Sequence, residues 1–156
     1  MNELQERPVP VKNKDIPLLA RVLSTMQMVA QTERRQDYQR SRMQRMTQYI
    51  GGMPGGSRTP KGLDEAFAIL SEIDSEYELQ CRAWARELRK AEGILNGIES
   101  RTMRAFVTMK YVMDIPDAKI QRELNMSKRK FEAAKSAVEN AQSMEEVKWG
   151  ERYILG

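Results

Sequence analysis

Residues 115–141 read IPDAKIQRELNMSKRKFEAAKSAVENA, and their local chemistry describes two helices joined by a tight turn. Pro116 suits the first position of a helix, because its missing N–H would be unpaired there anyway. Asp117 follows in the first turn, where its charge complements the helix dipole. Ile120 and Leu124 lie one turn apart on one face, and the short helix should end near Leu124. Asn125 tolerates the left-handed conformation that a tight interhelix turn needs. Met126 offers an apolar plug for the turn. Ser127 is a good N-cap for a second helix. That helix repeats its apolar face at Phe131, Ala134, Ala137 or Val138, and Ala141. Ile120, Leu124, Phe131 and Val138 are therefore expected to close one small core, and the stretch reads as a helix-turn-helix.

The residues left outside that core carry the functional reading. Lys128, Arg129 and Lys130 crowd the start of the second helix, the end that prefers anions. Three cations there cost stability, and the conflict makes sense if that end faces phosphates, as recognition helices do in the major groove. The other reading is a solvated basic patch on an ordinary helical hairpin. On the DNA reading, Ser127, Lys128, Arg129 and Lys130 meet phosphates or base edges at the mouth of the groove. Lys135 extends the contact along the helix, and Lys119 and Arg122 on the first motif helix clamp the backbone. Arg101, Arg104 and Lys110 are weaker phosphate candidates.

Residues 120–138 resemble the region 4 helix-turn-helix of bacterial sigma factors: Ile, three polar residues, Leu, a turn residue, an apolar residue, Ser, then a basic helix. Residues 49–141 are similar to the RinA/ArpU group of phage transcriptional regulators. The matching pieces are the Gly-Met-Pro-Gly-Gly run at residues 52–56, a long acidic-to-basic helix after it, the Met109-Lys110-Tyr111 segment, and the helix-turn-helix. Two features depart from that pattern. Asp117, Ala118, Lys119 and Ile120 stand where members commonly carry an aromatic and a Glu-Ile pair, and Asn125 replaces the usual turn glycine. The resemblance covers about 60% of the 156 residues, from Tyr49 to Ala141, and leaves the first 48 unexplained. It implies an all-α DNA-binding protein that regulates phage or prophage transcription, with activation of late genes as the expected outcome.

Composition narrows the classes. The chain has no histidine among its 156 residues, so the commonest metal ligand and the usual general base near neutral pH are both missing. Its single cysteine, Cys81, has no partner for an internal disulfide, which fits a reducing cytoplasm. Cys81 reads as a small packing residue, since no histidine is available to activate it. Neither a cofactor nor a metal is expected. The carboxylates of residues 64–99 fall mostly on the polar side of a helix and build no catalytic spacing, so an enzyme is not expected. A net charge of +4 permits nucleic-acid binding without demanding it. No run reaches the ~18 apolar residues of a membrane helix, and residues 1–15 have no apolar core of the secretory type. These features lead to the expectation of a soluble intracellular protein, and the resemblance implies the cytoplasm of a bacterial host.

Charge is unevenly spread. Residues 31–61 hold seven cations and two anions, residues 62–100 nine anions and four cations, and residues 101–111 three cations and no anion. The first two segments should attract each other.

Taken in order, residues 1–14, with Pro8 and Pro10, read as a flexible arm. Asp15 and Pro17 open a helix that can run over residues 15–50. Its apolar face is clear at Leu18, Leu19, Val22, Met26 and Val29, and again at Met43, Met46, Tyr49 and Ile50. Between them residues 33–42 are almost wholly polar, so the helix is either exposed or broken there. That Gln- and Arg-rich run is open between a nucleic-acid contact and a solvated face.

Residues 51–62, GGMPGGSRTPKG, are a Gly/Pro linker. The run lacks a P-loop ending and no strand precedes it, so it is not read as a phosphate loop.

A second long helix is expected over residues 63–98. Its stripe is Leu63, Phe67, Leu70, Ile73, Tyr77, Cys81, Trp84, Leu88, Ala91, Leu95 and Ile98, close to a heptad pattern. The partner is either the first helix, in an antiparallel hairpin, or the same helix of another subunit; at ~54 Å the stripe is long enough to involve a second chain. Residues 99–142 complete a three-helix unit, with Ser100 capping a helix to about Met113. Its face, Met103, Phe106, Val107, Lys110 with Tyr111, and Met113 nearby, is expected to pack on Ile120, Leu124 and Phe131. Residues 143–156 form a tail.

The sequence thus reads as an all-α chain: long helices in a hairpin or coiled-coil-like arrangement, then a C-terminal helix-turn-helix. The expected partners are double-stranded DNA, further copies of the chain, and host RNA polymerase, with no membrane. Two other classes remain open. A small terminase subunit or similar packaging protein also joins such a motif to oligomerising helices, and would form a defined ring. A protein-interaction module would bind RNA polymerase and not DNA.

Overall fold

The computed structural model describes residues 12–51 and 62–147. Its helices are α1 (Ile16–Gly51), α2 (Leu63–Asn96), α3 (Arg101–Val107), α4 (Asp117–Glu123) and α5 (Lys128–Asn140). A π-helical turn, Thr108–Val112, extends α3, and a 3-10 turn, Met144–Glu146, follows α5. No strand occurs among the described residues; the chain is all-α. No described helix is long and apolar enough to cross a membrane. The linker glycines and prolines at residues 52–61, and the ends of the chain, lie outside the described residues.

The described residues divide into two compact units. Those from Ser24 to Arg86 form one; those up to Leu23 and from Glu87 onward form the other.

In the Ser24–Arg86 unit, α1 and α2 are antiparallel partners. Thr32 Oγ1 meets Gln80 Oε1, Arg35 pairs with Glu76, and Arg40 pairs with Asp74, so rising numbers on α1 meet falling numbers on α2. The attraction expected between the basic and acidic segments is realised in these two pairs. α1 is continuous through its polar middle, which settles the choice left open by the sequence. The reason is a polar seam: Val29, Thr32, Gln36, Gln39 and Met43 are all buried, at spacings of three and four that carry one helical stripe through the Gln-rich run. Gln36 Nε2 donates to Asp74 at 2.8 Å, and Gln39 Nε2 donates to the Ala66 carbonyl at 3.1 Å. Each buried amide donor in the seam thus has an acceptor, as burial requires.

The α2 stripe needs one correction. Ala66 is buried where Phe67 was expected, and Phe67 is 54% exposed. The two positions are 100° apart on the helix, and the closely approaching α1 accommodates the smaller side chain.

The other unit has an apolar core. Leu19, Val22, Ala91, Ile98, Met103, Phe106, Val107, Ile120, Phe131, Ala134, Val138 and Met144 are buried. Phe106 and Phe131 meet edge to face at 5.4 Å and 73°, a favoured aromatic geometry. Ser100 caps α3 by accepting the Met103 N–H, as the sequence implies. The helix does not run on as α-helix to Met113, however. The Met113 N–H reaches the Thr108 carbonyl, five residues back, at 2.9 Å, and this widened turn places Tyr111 against the edge of Phe106 at 6.2 Å. Met113 is exposed.

Residues 12–14, the described part of the segment read as an arm, are not free, and residues 1–11 lie outside the described residues; Asn13 shows why. It is fully buried, its Nδ2 donating to the Val138 carbonyl at 2.9 Å and its Oδ1 accepting the Asp15 N–H. Asp15 Oδ2 accepts the Met144 N–H at 2.8 Å, and the Lys14 N–H donates to the Gln142 carbonyl. This short segment clasps the end of α5 and the first residues of the tail.

Candidate nucleic-acid interface

The helix-turn-helix forms from the local signals described above. Pro116 serves as the N-cap of α4 and not as its first residue, because its ψ of 141° is extended; α4 therefore begins at Asp117. The helix stops at Glu123, and Asn125 takes the left-handed conformation with φ 51°. That turn lets the Met126 N–H reach back to the Gln121 carbonyl at 2.8 Å. Ser127 then caps α5: its backbone is extended and its Oγ accepts the Lys130 N–H at 3.2 Å. Ile120, Phe131, Ala134 and Val138 are buried as expected, while Leu124 is half-buried.

The seven candidate residues divide by exposure. Ser127, Lys128, Arg129, Lys119 and Arg122 are exposed, and Lys130 and Lys135 are half-buried. Among the described residues none of these six cations has an ion-pair partner. No acidic residue occupies the first turn of α5. Two acids of the motif are already engaged: Asp117 with Lys110, and Glu139 with the Tyr111 hydroxyl. Among the described residues Glu123 and Glu132 form no ion pair either, and the motif presents six cations against four acids.

Two of the weaker phosphate candidates have structural duties. Arg104 donates two hydrogen bonds to the Ile98 carbonyl, at 3.2 and 2.7 Å, and ties the α2–α3 loop. Lys110 is withdrawn from solvent, its side chain 16% exposed. Its ammonium pairs with Asp117 at 2.9 Å and lies 5.4 Å from the Phe131 ring centroid, within cation–π range. Arg101 is exposed. Burial, with the Glu139 and Asp117 carboxylates nearby, pushes the Tyr111 hydroxyl well above its ordinary range. It is therefore a neutral hydrogen-bonding group that ties the π turn to α5.

Among the described residues no group of carboxylates and thiol could hold a metal ion. The sequence reading missed the Asn13–Asp15 clasp and the Thr32–Gln36–Gln39 seam. The seam had a signal in its three-and-four spacing; the clasp had none, since Asn13 and Val138 are 125 residues apart.

Comparison of the chain with protein-family models, curated proteins and solved structures finds no match.

Proposed function

We propose that this chain is a DNA-binding transcriptional regulator of a phage or prophage, related to the RinA/ArpU group. In this reading it docks the α4–α5 motif in the major groove of duplex DNA. Late genes are the expected target, activation the expected direction, and the host cytoplasm the setting. Copies of the chain assemble on DNA, and host RNA polymerase is a further partner.

The observation that carries the reading is the start of α5. Lys128, Arg129 and Lys130 stand on a serine-capped helix end with no acid in its first turn and no ion-pair partner among the described residues. Clustered cations at the positive end of a helix dipole cost stability, and phosphates are the ligand that offsets this cost. Lys130 is half-buried, while Lys128 and Arg129 are exposed. Lys119 and Arg122, exposed on α4, are placed to hold the flanking backbone.

The test is affinity for duplex DNA across a salt series, comparing the native chain with a Lys128→Ala, Arg129→Ala, Lys130→Ala variant. Each phosphate contact contributes ~0.9 to the slope of log affinity against log salt. The variant should lose about two to three units of slope. Equal slopes would refute the DNA-facing role of α5. Retained binding of the variant to RNA polymerase, with no DNA binding by either protein, would favour the protein-interaction class.

A further inference from the structure

We propose a second DNA-backbone contact, separate from the helix-turn-helix, on the outward face of α1. It rests on the reading of the chain as a DNA-binding protein. It consists of Arg34, Tyr38, Arg42 and Arg45, with Gln31 at its edge.

The geometry of the hairpin sorts the arginines of α1. Val29, Thr32, Gln36, Gln39 and Met43 face α2 and are buried. At 100° per residue, Gln31, Arg34, Tyr38, Arg42 and Arg45 fall on the opposite side, at spacings of three, four, four and three. All five are exposed. Arg35 and Arg40, which flank the seam, cross to Glu76 and Asp74 on α2. Arg34, Arg42 and Arg45 have no ion-pair partner among the described residues. Of the two acids of this stretch, Glu33 lies off the row, and Asp37, three residues from Arg34, borders its N-terminal end. The hairpin therefore uses two arginines for its own cohesion and leaves three in one row, with Asp37 beside only its Arg34 end.

Tyr38 separates this row from an ordinary solvated face. It is 65% exposed and sits one turn from Arg34 on one side and one turn from Arg42 on the other. A phenol between two guanidinium groups is a hydrogen-bond donor among charge-assisted donors, a set that recurs on phosphate and sugar oxygens. Arginine supplies forked donors that match phosphate oxygens. From Arg34 to Arg45 the helix rises ~16 Å. A row of that length fits the repeating charge of duplex DNA, one per ~1.7 Å of axis, better than a single small anion. Arg, Tyr and Gln on phosphates read no bases, so the contact adds affinity without sequence preference.

The test uses the full chain and the same duplex and salt series. An Arg34→Ala, Arg42→Ala, Arg45→Ala variant changes only exposed helix positions to a strong helix former, and its thermal melt should match the native one. It should lose about two to three units of salt slope. Between 50 and 200 mM salt the native chain should then lose about 40-fold more affinity than the variant, from ~0.9 unit per contact over three contacts. The loss should be equal on unrelated duplex sequences. An Arg35→Ala, Arg40→Ala variant should keep the slope and lower the melting temperature.

A native slope in the Arg34/Arg42/Arg45 variant would overturn the proposal, whatever the α5 variant does. Loss of slope there, with no loss in the α5 variant, would uphold this surface while refuting the helix-turn-helix reading. Absence of DNA binding by the native chain would refute both.

Discussion

The two units of the chain solve the same packing problem differently, one with an apolar core and the other with a polar seam set among apolar residues. The unit that carries the helix-turn-helix closes around Phe106, Phe131, Ile120 and Val138, apolar side chains that water expels. The α1–α2 hairpin buries Val29, Met43, Leu63, Ala66 and Ile73 as well, but sets among them Thr32, Gln36 and Gln39, polar side chains that each find a partner on α2. Apolar burial is strong and non-directional. A buried hydrogen bond is worth only about 0.5–1.5 kcal/mol net, but it has direction and fixes which residues stand opposite one another. The first unit should therefore owe its stability to its core. The second should owe its register to the seam, with its outer faces left free for charge.

That contrast can be broken most sharply at Phe131. Phe131→Ala removes a ring packed edge to face on Phe106 and should cost about 3–5 kcal/mol, read from denaturant unfolding. A cost under about 1 kcal/mol would mean that the core is not the anchor of its unit. Next is Asn125, whose φ of 51° suits few side chains. Asn125→Val should cost about 1–2 kcal/mol, whereas Asn125→Gly should be close to neutral or stabilising. Removing the α5 cap with Ser127→Ala should cost about 1 kcal/mol and reduce helicity by circular dichroism.

The smallest effect belongs to the hairpin. Gln39→Leu deletes the bond to the Ala66 carbonyl, but that carbonyl lies inside α2, where the helix ladder also serves it. The change should stay within about 1 kcal/mol. A loss on the scale of Phe131→Ala would show that the seam, and not apolar burial, holds the hairpin.

What could be read from the sequence follows the same divide. The turn at Asn125, the caps at Ser100 and Ser127, and the face Phe131–Ala134–Val138 were legible because each rests on residues within one or two turns. The continuity of α1 is open on sequence alone, because Thr32, Gln36 and Gln39 do not look like core residues until α2 supplies their partners. The heptad stripe points to Phe67 because it tolerates a shift of one residue, and only the facing helix decides for Ala66. The π turn that directs Lys110 to Asp117 has no sequence mark. In the candidate site, Lys128, Arg129, Lys119 and Arg122 were legible as exposed charge. The withdrawal of Lys110 and Arg104 into structural bonds was not, because their acceptors come from the next element or from a loop carbonyl.

The most direct measurement is an amide-shift titration of the isotope-labelled full chain with duplex DNA. The largest shifts should fall on residues 127–131, where the first-turn N–H groups of α5 meet phosphate, with smaller ones at Lys119 and Arg122. Saturable binding with residues 127–131 unmoved would contradict that contact.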